Sequence, residues 1–149
     1  MSISKISGET ILASFGGGYS LRGTLANAIF SPVAGTTYYG GGAANASSTT
    51  TAATKRLYIP KTGTIKSCYG FFNQTASVSG NTGTLNIRKN NTTDTAVGSA
   101  QAHNTNPTLY SSTALSIAVT QGDYIEFKWT CPATTAPTNI STSFIIYIE

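Results

Sequence analysis

The sequence predicts an all-β fold: an antiparallel sandwich preceded by a non-globular arm. Three observations carry this expectation. Charged residues are only 9% of the 149-residue chain, while Thr occurs 25 times and Gly 15 times. That mix disfavours helix and suits short strands joined by polar turns. From residue 55 onward apolar residues recur at alternate positions, the period of a half-buried strand. The alternating runs are separated by turns rich in Pro, Gly, Asn and Asp, at the spacing of a sandwich. Eight Tyr, six Phe and one Trp supply the area for a core in a chain of this length.

Residues 1–30 read as an attachment arm. Their apolar residues are scattered around Gly16, Gly17 and Gly18, which would break any helix there. Ile3, Ile6, Ile11, Leu12 and Phe15 are its candidate docking points on a partner. Residues 31–54 read as a first strand region, Thr36 to Tyr39, and a polar linker without apolar period.

Residues 55–149 read as the folded domain. Leu57 to Ile59 form a strand, Pro60 opens a turn, and Gly63 closes it with positive φ. The next strand alternates Ile65, Tyr69 and Phe71 inward. Leu85 with Ile87, and Leu115 with Ile117 and Val119, follow the same rule. Ile125, Phe127 and Trp129 point inward with Cys131, leaving Tyr124, Glu126 and Lys128 outward. Phe144, Ile146 and Ile148 finish the expected core. Tyr58, Phe72, Ile145 and Tyr147 have the opposite parity, which would place four large side chains on outer faces.

The formal charge of +4 and the pI near 9.2 reflect five acids rather than many bases. The basic residues come as the pairs Lys55–Arg56 and Arg88–Lys89, without the dense stripe of a nucleic-acid surface. No secretory signal is visible in the first 20 residues, and no run has the roughly 18 apolar residues of a membrane span. Cys68 and Cys131 read as buried thiols, since their opposite strand parities make a bridge awkward.

The order of motifs resembles the C1q/TNF-like jelly roll. A strand with Leu57 and Ile59 leads through Pro60 and Gly63 into Ile65, Tyr69 and Phe71. Leu85 and Ile87 run into a Lys89–Asn90 turn. Leu115 and Ile117 precede Gly122-Asp123, Ile125 and Phe127, and Phe144, Ile146 and Ile148 close the series. Members of that family form tight trimers with apolar residues between subunits. The resemblance therefore implies a homotrimer built around Tyr58, Phe72, Ile145 and Tyr147. The composition and the short arm are similar to small jelly-roll proteins of bacteriophage virions, such as head fibres, capsid decoration proteins and tail-tip components.

Chemistry is sparse. His103 is the single histidine, in a turn-like stretch, and reads as solvated. Asp123 and Glu126 project to opposite faces and do not pair as glycosidase acids. The glycine runs lack a following Lys-Ser/Thr and helix, so no cofactor, phosphate or metal site is expected. The sequence therefore predicts a non-enzymatic virion structural protein, made in the host cytoplasm. Its partners would be its own copies, capsid or tail proteins and, for host attachment, surface glycans; nucleic acid and membrane insertion are not expected. The alternative is a carbohydrate-binding module or lectin using Tyr110, Tyr124 or Trp129.

Overall fold

The computed structural model describes residues 17–26, 28–42, 55–75 and 81–149. Those residues form eleven strands: β1 Tyr19–Gly23, β2 Thr37–Gly40, β3 Leu57–Tyr58, β4 Gly63–Asn73, β5 Thr82–Lys89, β6 Thr93–Ala96, β7 Gln101–Ala102, β8 Thr108–Ser112, β9 Ile117–Val119, β10 Tyr124–Thr130 and β11 Ser141–Ile148. Every pairing is antiparallel. One sheet runs β1-β11-β4-β8, with β9 also on β4. The other runs β2-β10-β5-β6, with β3 on β10 and β7 on β5. The pairs β2/β3, β6/β7 and β8/β9 each act as one interrupted strand. Successive strands therefore alternate between sheets except at β5 and β6/β7, which pair within the second sheet, and this is the jelly-roll order.

The sheets meet through the inward faces the alternation picks out. Phe127 of β10 stacks on Phe144 of β11, ring centroids 4.4 Å apart. Trp129 lies 5.0 Å from Phe72 of β4. Leu85, Ile87, Ile125, Ile146 and Ile148 complete this core, all of them buried. Leu57 and Ile117, expected inside, are only partly buried and pack against its rim.

The expectation fails for β4, and one residue explains why. Tyr147 pairs with Ser67 but Ile148 pairs with Ile65, so Lys66 is an extra residue opposite no partner on β11. Such a bulge reverses the inward parity of everything beyond it. Ile65 points inward, and then Cys68, Gly70 and Phe72 do. Tyr69 and Phe71 face outward instead. The bulged carbonyl of Lys66 accepts the N–H of Leu115 at 3.0 Å.

The arm reading is corrected for its second half. Tyr19–Gly23 hydrogen-bonds along β11 from Ile148 to Phe144, and Leu25 is fully buried. The β11 strand is apolar on both faces, and β1 covers the edge that β4 leaves open. Glycines that break a helix do not prevent a strand from starting at Tyr19. Gly18 has a packing role: a Cβ there would collide with the ring and hydroxyl of Tyr147. Residues 1–16, with Ile3, Ile6, Ile11, Leu12 and Phe15, lie outside the described residues, as does linker segment 43–54.

The Gly122-Asp123 turn clasps its neighbour. Asp123 accepts from the Asn90 amide at 2.8 Å, from the Thr120 N–H at 2.8 Å and from Lys89 Nζ at 2.9 Å. These bonds, that of Asn90 first, hold its carboxyl down at about 2. Gly122 takes positive φ here, whereas Gly63, expected to do so, does not. Gly63 is needed instead because a Cβ would strike the carbonyl of Glu149.

Candidate functional site

The outer face of the β1-β11-β4-β8 sheet carries an apolar patch among serines and Arg22. Across the register, Arg22, Ile145, Tyr69 and Ser111 lie side by side, flanked by Ser20, Tyr147 and Ser67 on one side and by Ser143, Phe71 and Leu109 on the other. Tyr69 is 37% and Leu109 43% exposed, with Phe71, Ile145 and Tyr147 partly exposed between them. This contiguous group answers why the sequence carries large residues at outward parity: two adjacent strands each present two.

Of the four residues expected to build one interface, two belong to this face. Ile145 and Tyr147 do. Phe72 does not: the bulge turns it inward, where it touches Tyr110, Trp129, Phe144 and His103. Tyr58 is 58% exposed but belongs to β3, in the other sheet, so it faces away from Ile145 and Tyr147. Tyr69, Phe71 and Leu109 take their place, and only the bulge could have revealed the first two.

The lone histidine is not solvated. His103 is fully buried beside Phe72 and Trp129. Trp129 Nε1–H donates to the Tyr110 hydroxyl at 3.2 Å. Gln74 Oε1 can only accept, so His103 Nδ1 carries the ring hydrogen and donates to it at 2.8 Å, and Nε2 accepts from the Tyr110 hydroxyl at 2.9 Å. The Gln74 amide donates to the carbonyls of His103 and Thr105 at 2.9 and 3.0 Å. Each of these side-chain polar groups is satisfied, as burial requires. Burial holds the imidazole down at about 4 and pushes the Tyr110 hydroxyl up. Tyr110 and Trp129, weighed as sugar platforms, are core residues.

The outer face of the second sheet is polar and aromatic. Glu126, expected to be exposed, is fully buried there. Arg88 of β5 is its direct cross-strand neighbour. On its other side the β3 register, continued by one residue, brings Arg56 opposite it. Neither arginine bonds to the carboxylate. Arg88 donates to the Tyr39 hydroxyl and the Asn91 carbonyl, both at 3.0 Å, and lies 3.6 Å from Asp94. The Arg56 guanidinium lies over the Tyr124 ring, 4.2 Å from its centroid, and Tyr58 meets Tyr124 edge-on at 6.0 Å. Burial pushes the Glu126 carboxyl above its ordinary range, against the pull of both arginines.

Among the described residues no cluster of three His, Cys, Asp or Glu could hold a metal ion. Cys68 and Cys131 are free and buried; Cys68 reaches the core because of the bulge, against its expected outward parity. No family model, curated protein or solved structure matches the chain.

Proposed function

We propose that the protein is a non-enzymatic virion structural protein, a homotrimeric C1q/TNF-like module on a bacteriophage particle. It would serve as a head fibre, decoration or tail-tip component, made in the host cytoplasm and assembled onto capsid or tail proteins. The apolar outer face of β11, β4 and β8 carries the reading. Tyr69, Phe71, Leu109, Ile145 and Tyr147 form one patch, and patches of this kind on a sheet face mark interaction surfaces. Burying each would contribute about 1.5–3 kcal/mol before association entropy is subtracted. The jelly-roll strand order supports the family resemblance, and the Thr- and Gly-rich composition supports placement on a particle. The commitment of both ring nitrogens of His103 to core hydrogen bonds supports a non-catalytic role.

Two measurements test this reading. Light scattering on the purified protein should give three times the chain mass at micromolar concentration, and a stable monomer would sink the trimer. Mass spectrometry of purified particles from the parent phage should find the chain at stoichiometric level, and its absence would sink the virion assignment.

A further inference from the structure

All four buried side-chain polar atoms that lack a hydrogen-bond partner among the described residues belong to three neighbours: Arg56 Nε, Arg88 Nε and both oxygens of Glu126. The core network around His103 satisfies every side-chain group it buries, so this fold does not leave such atoms idle at random. An unpaired buried polar group costs about 1–3 kcal/mol, and more when charged. Arg88 Nε has Asp94 Oδ1 at 3.6 Å, an ion pair though not a hydrogen bond, so Arg56 Nε and the two Glu126 oxygens are the atoms that mark a place for something that bonds to them.

We propose that this face, between Glu126, Arg56, Arg88 and the rings of Tyr58, Tyr124 and Tyr39, binds a neutral saccharide. The chemistry of the unpaired atoms selects the ligand class. An ionised carboxylate only accepts, and a guanidinium Nε–H only donates. The occupant must therefore offer donors and acceptors on adjacent atoms, as vicinal hydroxyls do. A metal cation would meet Arg56 and Arg88, and an anion would meet Glu126, so neither charge sign is favoured. Asp94 adds no free charge, being paired with Lys128 at 2.5 Å and with Arg88 at 3.6 Å. Tyr58, 58% exposed and edge-on to Tyr124, supplies an aromatic surface for the C–H face of a sugar ring. Glu126 is fully buried, so binding requires a neighbouring side chain to move. Arg56, hydrogen-bonded to Tyr58 and stacked on the Tyr124 ring, is the side chain that moves to admit a hydroxyl in the proposed complex.

The inference does not depend on trimerisation, because the patch that would join subunits lies on the other sheet. A monomer that binds sugar would overturn the assembly reading alone, and a trimer that binds none would overturn this one alone. The test is saturation-transfer NMR on the full chain against glucose, galactose, mannose and N-acetylglucosamine, free and as methyl glycosides, with sialic acid as an acidic comparison. The parent should bind at least one neutral sugar. Tyr58→Ala and Glu126→Gln should each weaken that binding about tenfold or more, the loss of one contact to a charged or stacking group. Tyr58 is exposed, so its variant keeps the fold. No signal from any neutral sugar, binding to sialic acid alone, or parental affinity in Tyr58→Ala would overturn the proposal.

Discussion

Tyr110 and His103 share a hydrogen bond of 2.9 Å inside the sandwich, and the accept-only Gln74 oxygen on the other side of the ring fixes which imidazole nitrogen carries the proton. The ring is neutral because burial holds it down at about 4, against about 6.5 in an unfolded chain. Between those values the unfolded state binds the extra proton. The stability that neutral His103 contributes is therefore full above about pH 6.5 and is lost as pH falls to about 4, by about 3 kcal/mol. Urea denaturation at pH 7 and pH 4 should show the loss, and His103→Gln should flatten it. An NMR titration of the ring with a midpoint near 6.5 would show that His103 is not held in the core.

Glu126 should act in the opposite direction. Its carboxyl is raised by burial, so its favourable contribution is present at low pH and is lost as pH rises through that raised value. Glu126→Gln removes the charge and keeps the shape. It should make the protein more stable at pH 7, by about 1 kcal/mol, with no gain at pH 3. Equal stability of variant and parent at both values would show that the carboxylate is solvated.

The bulge at Lys66 predicts unequal costs for two adjacent phenylalanines. Phe72 is fully buried among four aromatic rings, so Phe72→Ala should cost about 3–5 kcal/mol. Phe71 lies on the outer face, and Phe71→Ala should cost less than about 1 kcal/mol at a concentration where the protein is monomeric. Denaturation curves for the two variants decide it, and the reverse ranking would place the bulge elsewhere.

Both thiols should be silent in the native protein. Burial pushes Cys68 and Cys131 up to about 12, so neither forms thiolate at neutral pH. A thiol reagent should titrate none before unfolding and two after it, with the same melting temperature with and without reductant. A linked Cys68–Cys131 peptide in a digest would contradict the free thiols.

In the proposed trimer, a charge placed in the apolar outer patch should separate subunits without unfolding them. Leu109 is 43% exposed on the edge strand β8, so Leu109→Glu should give a folded monomer by light scattering. A variant that stays trimeric would move the interface away from β8.

Much of the sandwich was legible because alternation is a strong signal where strands run without interruption. Ile125, Phe127 and Trp129 in β10, and Phe144, Ile146 and Ile148 in β11, are all inside as their spacing indicates. A bulge leaves no comparable mark, since Lys66 and Ser67 read as ordinary successive strand positions, and from there the alternation places Tyr69, Phe71, Phe72 and Cys68 on the wrong face. The first strand was missed because Tyr19 and Leu21 are only two inward residues after three glycines. Its pairing comes from β11, more than a hundred residues away in sequence. The polar groups of the interior were hidden for a different reason. His103 is tolerated inside only because Gln74, Tyr110 and Trp129 converge on it from three other segments, and no single stretch of sequence records that convergence.

The position of β11 between β1 and β4 also sets an order in time. Thr24, just past β1, bonds to Thr142 of β11 across 118 residues of sequence. Synthesis runs from N- to C-terminus, so β1 emerges long before the strand that gives it a partner. The first sheet cannot be completed by local zippering, and its halves remain exposed edges until residues 141–148 arrive. Such distant closure is slow by nature. During that interval the nascent chain shows unpaired, aromatic-rich strands to its surroundings, and the yield of folded protein depends on how crowded those surroundings are.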